Sequence, residues 1–201
     1  APTNPHDAKG CLVQAIRDNN PVIYVEHRLL HFQSGPVPPE LYVLEPGQAR
    51  ISVPGDDITI VGISYMHHEC LGAQRYLETV GVSAEVIDPI WLSPLDSQTI
   101  VDSVKKTGRL IVVDNGWTEC GASAEIVSLV QEQLPDVSVF TARRMGFAPV
   151  TCPPTPFLEK LFYPNAQSIA AAAYDLVTGV QSGWIPDEIP ELQEVAFKGP
   201  F

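Results

Sequence analysis

The sequence predicts a three-layer α/β domain in which a mostly parallel β-sheet lies between two layers of helices. Short β-branched strands alternate with helical segments after residue 57, the pattern of right-handed β-α-β units. Residues 110–113 form a continuous apolar run, typical of a strand buried on both faces of a parallel sheet. Hydrophobic residues make up 45% of the 201 residues, enough for one substantial core.

The first part of the chain predicts a helix and a strand that precede a linker. Apolar residues at helical spacing predict a helix over 7–18, and the apolar run at 22–25 is typical of a buried strand. Residues 33–47 are rich in proline and indicate an extended linker. Because residues 1–32 are too short to form a domain, we expect them to pack on another part of a longer polypeptide.

Two strand-helix pairs follow the linker. Residues 57–63 and 84–87 predict strands, with Ser64 and Asp96 as the caps of the helices that follow them. The first helix is predicted to bury Met66, Cys70, Ala73, Leu77 and Val80 and to end at Gly81; the second is predicted to bury Ile100, Val101 and Val104, with Lys105 and Lys106 at its negative end, before Gly108.

The rest of the chain continues the alternation and then loses it. The predicted order is a strand at 110–113, a loop at 116–121, a helix marked by Ala122, Ile126, Leu129 and Val130, a strand at 137–140, an irregular stretch at 149–156, a helix over 168–178 closed by Gly179, and a tail without clear periodicity.

Charge and composition exclude several classes of function. The formal net charge is −12, from 12 basic and 24 acidic residues, so we expect neither nucleic acid nor a membrane surface as a partner. No apolar run approaches the roughly 20 residues of a membrane span, and the first residues lack the pattern of a signal peptide. Four scattered cysteines favour reduced thiols and a cytoplasmic protein. The first residue is not methionine, which fits a fragment or a processed chain.

Two histidine-containing groups could carry chemistry. His67, His68 and Cys70 share one helical turn but point in different directions, so we favour a buried thiol and two surface imidazoles over a metal site. Glu26, His27 and His31 follow the predicted strand at 22–25 and could form an acid/base set. No nucleophile or cofactor motif accompanies them, so we favour interface or linker residues.

Two turns are further candidates. Asp18 and Asn20 offer oxygen ligands beside helix-end carbonyls, which suits a hard cation, although an ordinary capped turn explains them equally. Residues 116–121 resemble a phosphate loop only in outline, because the glycine spacing and the lysine are missing and Glu119 disfavours an anion. Cys120 in this loop could be a nucleophile, but no histidine lies near it in sequence. A tight connecting turn is the favoured interpretation.

Six strings in order carry a resemblance to a known family. They are residues 7–10 (DAKG), 15–22 (AIRDNNPV), 85–88 (EVID), 93–96 (SPLD), 103–110 (SVKKTGRL) and 121–126 (GASAEI). The region from about Pro5 to Gly179 resembles the carboxy-terminal half of the β subunit of thiamine-diphosphate-dependent 2-oxo acid dehydrogenases. This subunit belongs to the E1 component of the pyruvate and branched-chain complexes, within the transketolase-like superfamily.

The resemblance implies a domain layout and a five-stranded mixed sheet. Residues 1–32 would be the last helix and strand of a pyrimidine-binding domain, and 33–47 a linker. Residues 48–179 would form a transketolase C-terminal domain, followed by a tail at 180–201. In the family this domain mainly builds the subunit interface and helps to dock the lipoyl-bearing E2 component.

The resemblance also implies an activity: decarboxylation of a 2-oxo acid and transfer of the acyl group to lipoamide, together with an E1 α-type subunit and a second copy of this chain. Thiamine diphosphate and Mg²⁺ would be bound elsewhere in the full enzyme, because the family's activating glutamate and active-site histidine lie upstream. No catalytic or cofactor-binding residue is therefore assigned here, and we expect the isolated chain to be inactive. A family site for a monovalent cation such as K⁺ matches Ala15, Asp18 and Asn20.

Three departures from the family pattern leave the substrate open. Residues 89–91 are Pro-Ile-Trp where the family usually has Leu-Arg-Thr, His31 replaces a tyrosine, and the tail is longer. A relative that acts on a different 2-oxo acid or a ketose, and a non-catalytic interaction module of the same fold, are therefore alternatives.

Overall fold

A five-stranded mixed sheet lies at the centre of the protein. The structure, a computed structural model, describes residues 1–134, 140–187 and 189. The strand order is β1-β3-β2-β4-β5, in which β1 is antiparallel to β3 and the other pairs are parallel. The elements in chain order are α1 (Pro5–Arg17), a 3₁₀ helix (Arg28–Phe32), β1 (Arg50–Val53), β2 (Ile58–Gly62), α2 (Met66–Glu78), β3 (Ala84–Asp88), α3 (Ser97–Thr107), β4 (Arg109–Val113), α4 (Ala122–Gln133), β5 (Thr141–Met145), α5 (Pro156–Glu159) and α6 (Ala166–Thr178).

Alternate residues of the central strands enter two separate cores. Ile60 and Ile111 face α2 and α6, whereas Val61 and Val112 face α3 and α4. This alternation follows from the two-residue period of a strand. Both faces of the sheet are therefore covered, which confirms the predicted three-layer α/β/α fold with a mostly parallel, mixed sheet.

Three helix ends follow the predicted chemistry. The Asp96 carboxylate accepts a hydrogen bond from the backbone N–H of Thr99 at the start of α3, over 3.1 Å. Gly108 and Gly179 end α3 and α6 with φ angles of 67° and 74°, which a residue without Cβ adopts at little cost.

The prediction of a buried strand at 22–25 is wrong. These residues form no strand, and Ile23 is 91% exposed. A strand needs a neighbour to which its backbone groups can bond, and the described residues offer none. Similarly, α1 buries Asp7, Gly10 and Cys11 rather than its apolar stripe, and Ile16 is 75% exposed.

The prediction that Ser64 caps α2 is also wrong. Its φ angle is 53°, its buried hydroxyl has no partner among the described residues, and α2 begins at Met66. The left-handed backbone prevents the extended conformation that a capping serine needs. The helix ends at Glu78, so Val80 lies beyond it and is exposed, and Gly81 follows in the turn.

Three elements were not predicted. They are β1, α5 and the 3₁₀ helix, each only four or five residues long and flanked by irregular sequence. The strand predicted at 137–140 lies mostly outside the described residues, because residues 135–139 are not described. Most of the tail from 188 onward lies outside them as well. The observed strand β5 begins at Thr141, and four of its five residues are exposed.

Gly55 provides a test of how closely β3 packs on the segment before β2. A Cβ atom at Gly55 would lie 2.3 Å from the carbonyl carbon of Ala84 and 2.4 Å from the nitrogen of Glu85. We expect Gly55→Ala to lower the free energy of unfolding, measured in urea, by about 2–3 kcal/mol, because backbone atoms cannot yield as a flexible side chain does.

Gly35→Ala is the matched control. A Cβ there would meet only Pro5 side-chain atoms at 3.6 Å, an ordinary contact. We expect its stability to be unchanged or higher by up to about 1 kcal/mol. Equal stability of the two variants would contradict the packing described here.

Candidate functional site

The carboxyl edge of the sheet is where a ligand site is expected. The chain continues from β2 to β3 on one side and reaches β4 on the other, so the strand order reverses between β2 and β4. Open α/β sheets commonly bind ligands in the crevice at this reversal. Tyr65 follows β2 at this edge, and Asp114 and Asn115 follow β4. Burial raises the pKa of the Asp114 carboxyl.

His27 from the amino-terminal segment lies against this crevice. Its ring stacks on Tyr65 with 4.7 Å between centroids and an interplanar angle of 15°. Its Nδ1 accepts a hydrogen bond from the backbone N–H of Leu29, so Nε2 carries the proton of the neutral ring. Nε2 lies 2.8 Å from Nδ2 of Asn115, whose buried Oδ1 has no partner among the described residues. With the amide oxygen and nitrogen exchanged, Oδ1 accepts the hydrogen bond that Nε2 donates. Burial lowers the pKa of His27, which favours this neutral form.

The predicted acid/base set is brought together around a cleft of about 270 Å³. The Nε2 atom of His31 lies 3.8 Å from the Glu26 carboxylate, and both side chains are exposed. Both ring nitrogens of His27 are engaged in holding the 3₁₀ helix and Asn115. The geometry therefore favours the interface interpretation of these three residues over proton transfer.

A second set of contacts joins residues 1–7 to the neighbouring strands. The Thr3 hydroxyl donates to the Asp88 carboxylate over 2.6 Å at the end of β3. Arg50 at the start of β1 pairs with Asp7 and lies 3.9 Å from Asp88. Both carboxylates are 1% exposed. The backbone nitrogen of Ala1 donates to the carbonyl of Ile90.

Sequence reasoning missed Asp7, Arg50 and Asp88. A signal was present for Asp88, because an acidic residue directly continues the apolar strand at 84–87. Asp7 gave no such signal, since acidic residues in the first turn of a helix are ordinary. Asp7 lies 43 positions before Arg50 and 81 positions before Asp88 in the sequence. Local patterns therefore do not reveal that these side chains meet.

The prediction that His67 is a surface imidazole is wrong. Its side chain is 4% exposed, and its Nε2 lies 3.0 Å from the Ser52 hydroxyl of β1. Burial lowers its pKa to about 4. The contact with Ser52 was not expected, because the sequence did not predict β1. His68 is half-buried and donates from Nε2 to the carbonyl of Thr3 over 2.7 Å.

The thiol of Cys70 is buried as expected, and burial raises its pKa well above the ordinary value. Among residues 1–134, 140–187 and 189, no group of three or more histidine, cysteine, aspartate or glutamate side chains could hold a metal ion. His67, His68 and Cys70 are therefore not brought together as a metal site.

The two candidate turns have ordinary local geometry. At the end of α1, the Asp18 carboxylate accepts from the backbone and side-chain nitrogens of Asn20, over 2.8 and 3.0 Å, and both residues are exposed. In the loop at 116–121, a Cβ on Gly121 would lie 1.9 Å from the Trp117 carbonyl oxygen, so the loop is a tight turn. Cys120 in this loop is exposed, with a φ angle of 54°.

Residues 47–169 match the family described as "Transketolase, C-terminal domain". The chain belongs to this family. It is 41% identical over 184 residues to the β subunit of acetoin:2,6-dichlorophenolindophenol oxidoreductase of Cupriavidus necator, covering 89% of this chain and 53% of that protein. It is 39% identical over 174 residues to the pyruvate dehydrogenase E1 component subunit beta of Bacillus subtilis, covering 86% and 53%.

A solved structure described as "Split gene transketolase, inactive beta4 tetramer" has the same fold. Its TM-score is 0.61 at 26% sequence identity, and the match covers 71% of this chain and 47% of that one. The chain spans about half the length of the curated relatives it matches. The resemblance to E1 β subunits inferred from the six strings is confirmed.

His67 makes the folded protein sensitive to acid. Its pKa is about 4 in the folded protein and about 6.5 when unfolded, so the unfolded state binds more protons as the pH falls below 6.5. The stability from a neutral His67 is present above pH 6.5 and is lost on acidification. We expect the free energy of unfolding of the natural chain, relative to His67→Gln, to fall by about 2 kcal/mol between pH 7 and pH 5.

His31→Gln is the control for this measurement, because its ring is exposed and pairs only with Glu26 across 3.8 Å. Relative to this variant, the natural chain should show a change below about 0.5 kcal/mol over the same pH range. A pH-independent difference between the natural chain and His67→Gln would show that the ring is not held neutral.

Proposed function

We propose that this chain is the carboxy-terminal half of a β-type E1 subunit of a thiamine-diphosphate-dependent 2-oxo acid dehydrogenase. Its role is architecture and assembly. The observation that carries the proposal is the extent of the alignments, which cover 86–89% of this chain but only 53% of β subunits named for acetoin and pyruvate oxidation. The catalytic groups belong to the other half of such a subunit and to an α-type partner.

The amino-terminal contacts support the proposed division of the chain. In this division residues 1–32 end a pyrimidine-binding domain, 33–47 form the linker, 48–179 form the C-terminal domain and 180–201 form the tail. The sheet begins at β1 and the last described helix ends at Thr178. Exposed Ile16 and Ile23 offer an apolar surface for the remainder of the first domain.

Thiamine diphosphate and Mg²⁺ do not fit the described residues. The crevice at the strand-order reversal is contacted by His27, and no metal-binding group of acidic or histidine side chains occurs in the described part of the chain. We therefore assign no catalytic step to this chain. The cofactor supplies the carbanion chemistry elsewhere in the full enzyme.

The substrate is proposed only as a class. Both a 2-oxo acid such as pyruvate and a ketol such as acetoin fit the relatives, whose names divide between the two. Transfer of the acyl group to lipoamide is the proposed outcome for the 2-oxo acid. The alternative is a non-catalytic interaction module of the same fold. A reading frame that encodes a pyrimidine-binding half before Ala1 would favour the enzyme.

The proposed partners are the α-type subunit, a second copy of this chain and the E2 component. A second exposed apolar surface, formed by Val150, Phe157 and Leu161, offers room for such contacts. No helix in residues 1–134 or 140–187 is long and apolar enough to cross a membrane. The cytoplasmic location stays a prediction, since some relatives are named as mitochondrial.

A chimeric enzyme tests the proposal. The corresponding half of the Cupriavidus necator β subunit is replaced by this chain, and the chimera is produced with its α-type partner. Reduction of 2,6-dichlorophenolindophenol is then measured with acetoin and with pyruvate. We expect cofactor-dependent reduction of at least about one hundredth of the parent rate, since misplacement of groups by 1 Å costs about 10²-fold.

Two controls define the outcome. The isolated chain should reduce no dye and should show no micromolar binding of thiamine diphosphate and Mg²⁺ by calorimetry. The chimera carrying Gly55→Ala should have a lower thermal midpoint than the chimera itself, because its sheet packs less closely. A chimera that assembles with the α-type subunit but is inactive with both substrates would favour the non-catalytic module, and micromolar cofactor binding by the isolated chain would overturn the proposal.

We further propose that the turn formed by Ala15, Asp18 and Asn20 holds a monovalent cation in the assembled enzyme. The exposed carboxylate of Asp18 beside the last carbonyls of α1 supports this, because K⁺ prefers hard oxygen ligands. Replacing K⁺ by choline at constant ionic strength should lower the thermal midpoint of the chimera by a few degrees, as a bound ligand stabilises the folded state.

Asp18→Asn should remove this K⁺ dependence. Asp102→Asn is the matched control, because Asp102 is an exposed carboxylate on α3 far from the turn in sequence, and it should leave the dependence intact. A K⁺ dependence that survives Asp18→Asn would place the cation elsewhere.

A further inference from the structure

Two buried carboxylates share one guanidinium at the junction between residues 1–17 and the sheet. Arg50 pairs with Asp7 and lies 3.9 Å from Asp88, and each carboxylate is 1% exposed. With both acids ionised, the three side chains carry one negative charge in excess. A second ionised carboxylate at such a buried site is disfavoured unless it is fully paired.

The hydrogen bonds of Asp88 suit a protonated acid as well as a carboxylate. The Thr3 hydroxyl lies 2.6 Å from Oδ2 and can either donate to it or accept a proton from it. The backbone N–H of Ile90 donates to Oδ1 over 3.1 Å. Asp7 accepts hydrogen bonds from the amide of Asn4 and the guanidinium of Arg50, and Nδ1 of His6 lies 3.1 Å from its Oδ1.

We propose that Asp88, Thr3, Asp7 and Arg50 form a proton-operated clasp, which holds the amino-terminal segment on the sheet when Asp88 is protonated and loosens when Asp88 ionises. All contacts of the clasp lie within this chain, so the clasp does not depend on the proposed function. If that function holds, the clasp lies at the junction of two domains.

Two titratable groups near the cluster, His67 and Cys11, do not replace Asp88 as the proton acceptor between pH 5 and pH 7.5. His67 of α2 is held neutral by burial and titrates near pH 4. The thiol of Cys11 on α1 stays protonated, because burial raises its pKa to about 11. The remaining groups that face the cluster are the amino group of Ala1, the ring of His6 beside Asp7 and the ring of His68 on Thr3.

The direction of the effect follows from linkage. Burial raises the pKa of Asp88 to about 6 in the clasped state, whereas an exposed aspartate titrates near 3.9. The clasped state therefore binds the proton more tightly than the open state. Its stabilisation is complete at low pH and is lost as the pH rises through about 6, so the opening equilibrium should increase on the order of tenfold between pH 5 and pH 7.5.

Amide hydrogen exchange of the 201-residue chain measures this opening. Protection of residues 3–12 is compared with that of α6, after correction for the intrinsic exchange rate at each pH. We expect protection of residues 3–12 to fall on the order of tenfold relative to α6 between pH 5 and pH 7.5. Equal protection at both pH values would overturn the clasp.

Substitutions identify the group that takes the proton. Asp88→Asn mimics the protonated acid and should keep residues 3–12 protected at every pH. His6→Gln and His68→Gln should retain the pH dependence of the natural chain. The clasp is also overturned if the dependence survives in Asp88→Asn or disappears in either histidine variant.

A second measurement covers the case in which Asp88→Asn does not fold. The carboxyl carbon of Asp88 is followed by NMR in the natural chain, together with the amides of residues 3–12. A shared midpoint near pH 6 supports the clasp. Amides that titrate with the ring of His6 or His68 instead, or not at all, overturn it.

Discussion

The arrangement of this chain depends on a cluster in which two buried acids share the guanidinium of Arg50. Asp7 belongs to α1 and Asp88 to β3, so the guanidinium joins the amino-terminal helix to the sheet through β1. The two carboxylates are buried, whereas the Arg50 side chain is 40% exposed, so solvent screens part of its attraction to them. The short strand β1 contributes two of the contacts here, since it supplies Arg50 to the carboxylates and Ser52 to His67.

Residues of the amino-terminal segment also contact the carboxyl edge of the sheet. The crevice between β2 and β4 is where this type of sheet commonly binds a ligand, yet His27 stacks on Tyr65 and bonds to Asn115 there. Thr3 and Ala1 likewise form hydrogen bonds at the carboxyl end of β3. Residues before the linker thus occupy the polar edge of the sheet, which suits a domain that holds a neighbour in place.

The sequence predicted the parts of this fold that local chemistry determines. The helix caps are as expected, because a cap depends on residues three or four positions apart. Asp96 caps the start of α3, and Gly108 and Gly179 end α3 and α6. The strand at 22–25 failed because its apolar composition requires a neighbour that the described residues lack. The exposure predicted for His67 was wrong because its ring contacts Ser52 of β1. The four residues of β1 form too short a pattern to predict that strand. The junction itself could not be predicted, since its contacts join distant positions.

Asp88 and His67 respond to acid in opposite directions. Acidification from pH 7 to pH 5 favours the folded state through Asp88, whose pKa is about 6, and disfavours it through His67, whose pKa is about 4. Each change is on the order of 1–2 kcal/mol, so the two nearly cancel in the stability of the whole chain. A global unfolding curve would therefore conceal a junction that loosens with rising pH, because α2 gains stability over the same range. The pH response of this chain therefore depends on which segment opens. Only a residue-resolved measurement separates opening of the amino-terminal segment from opening of α2.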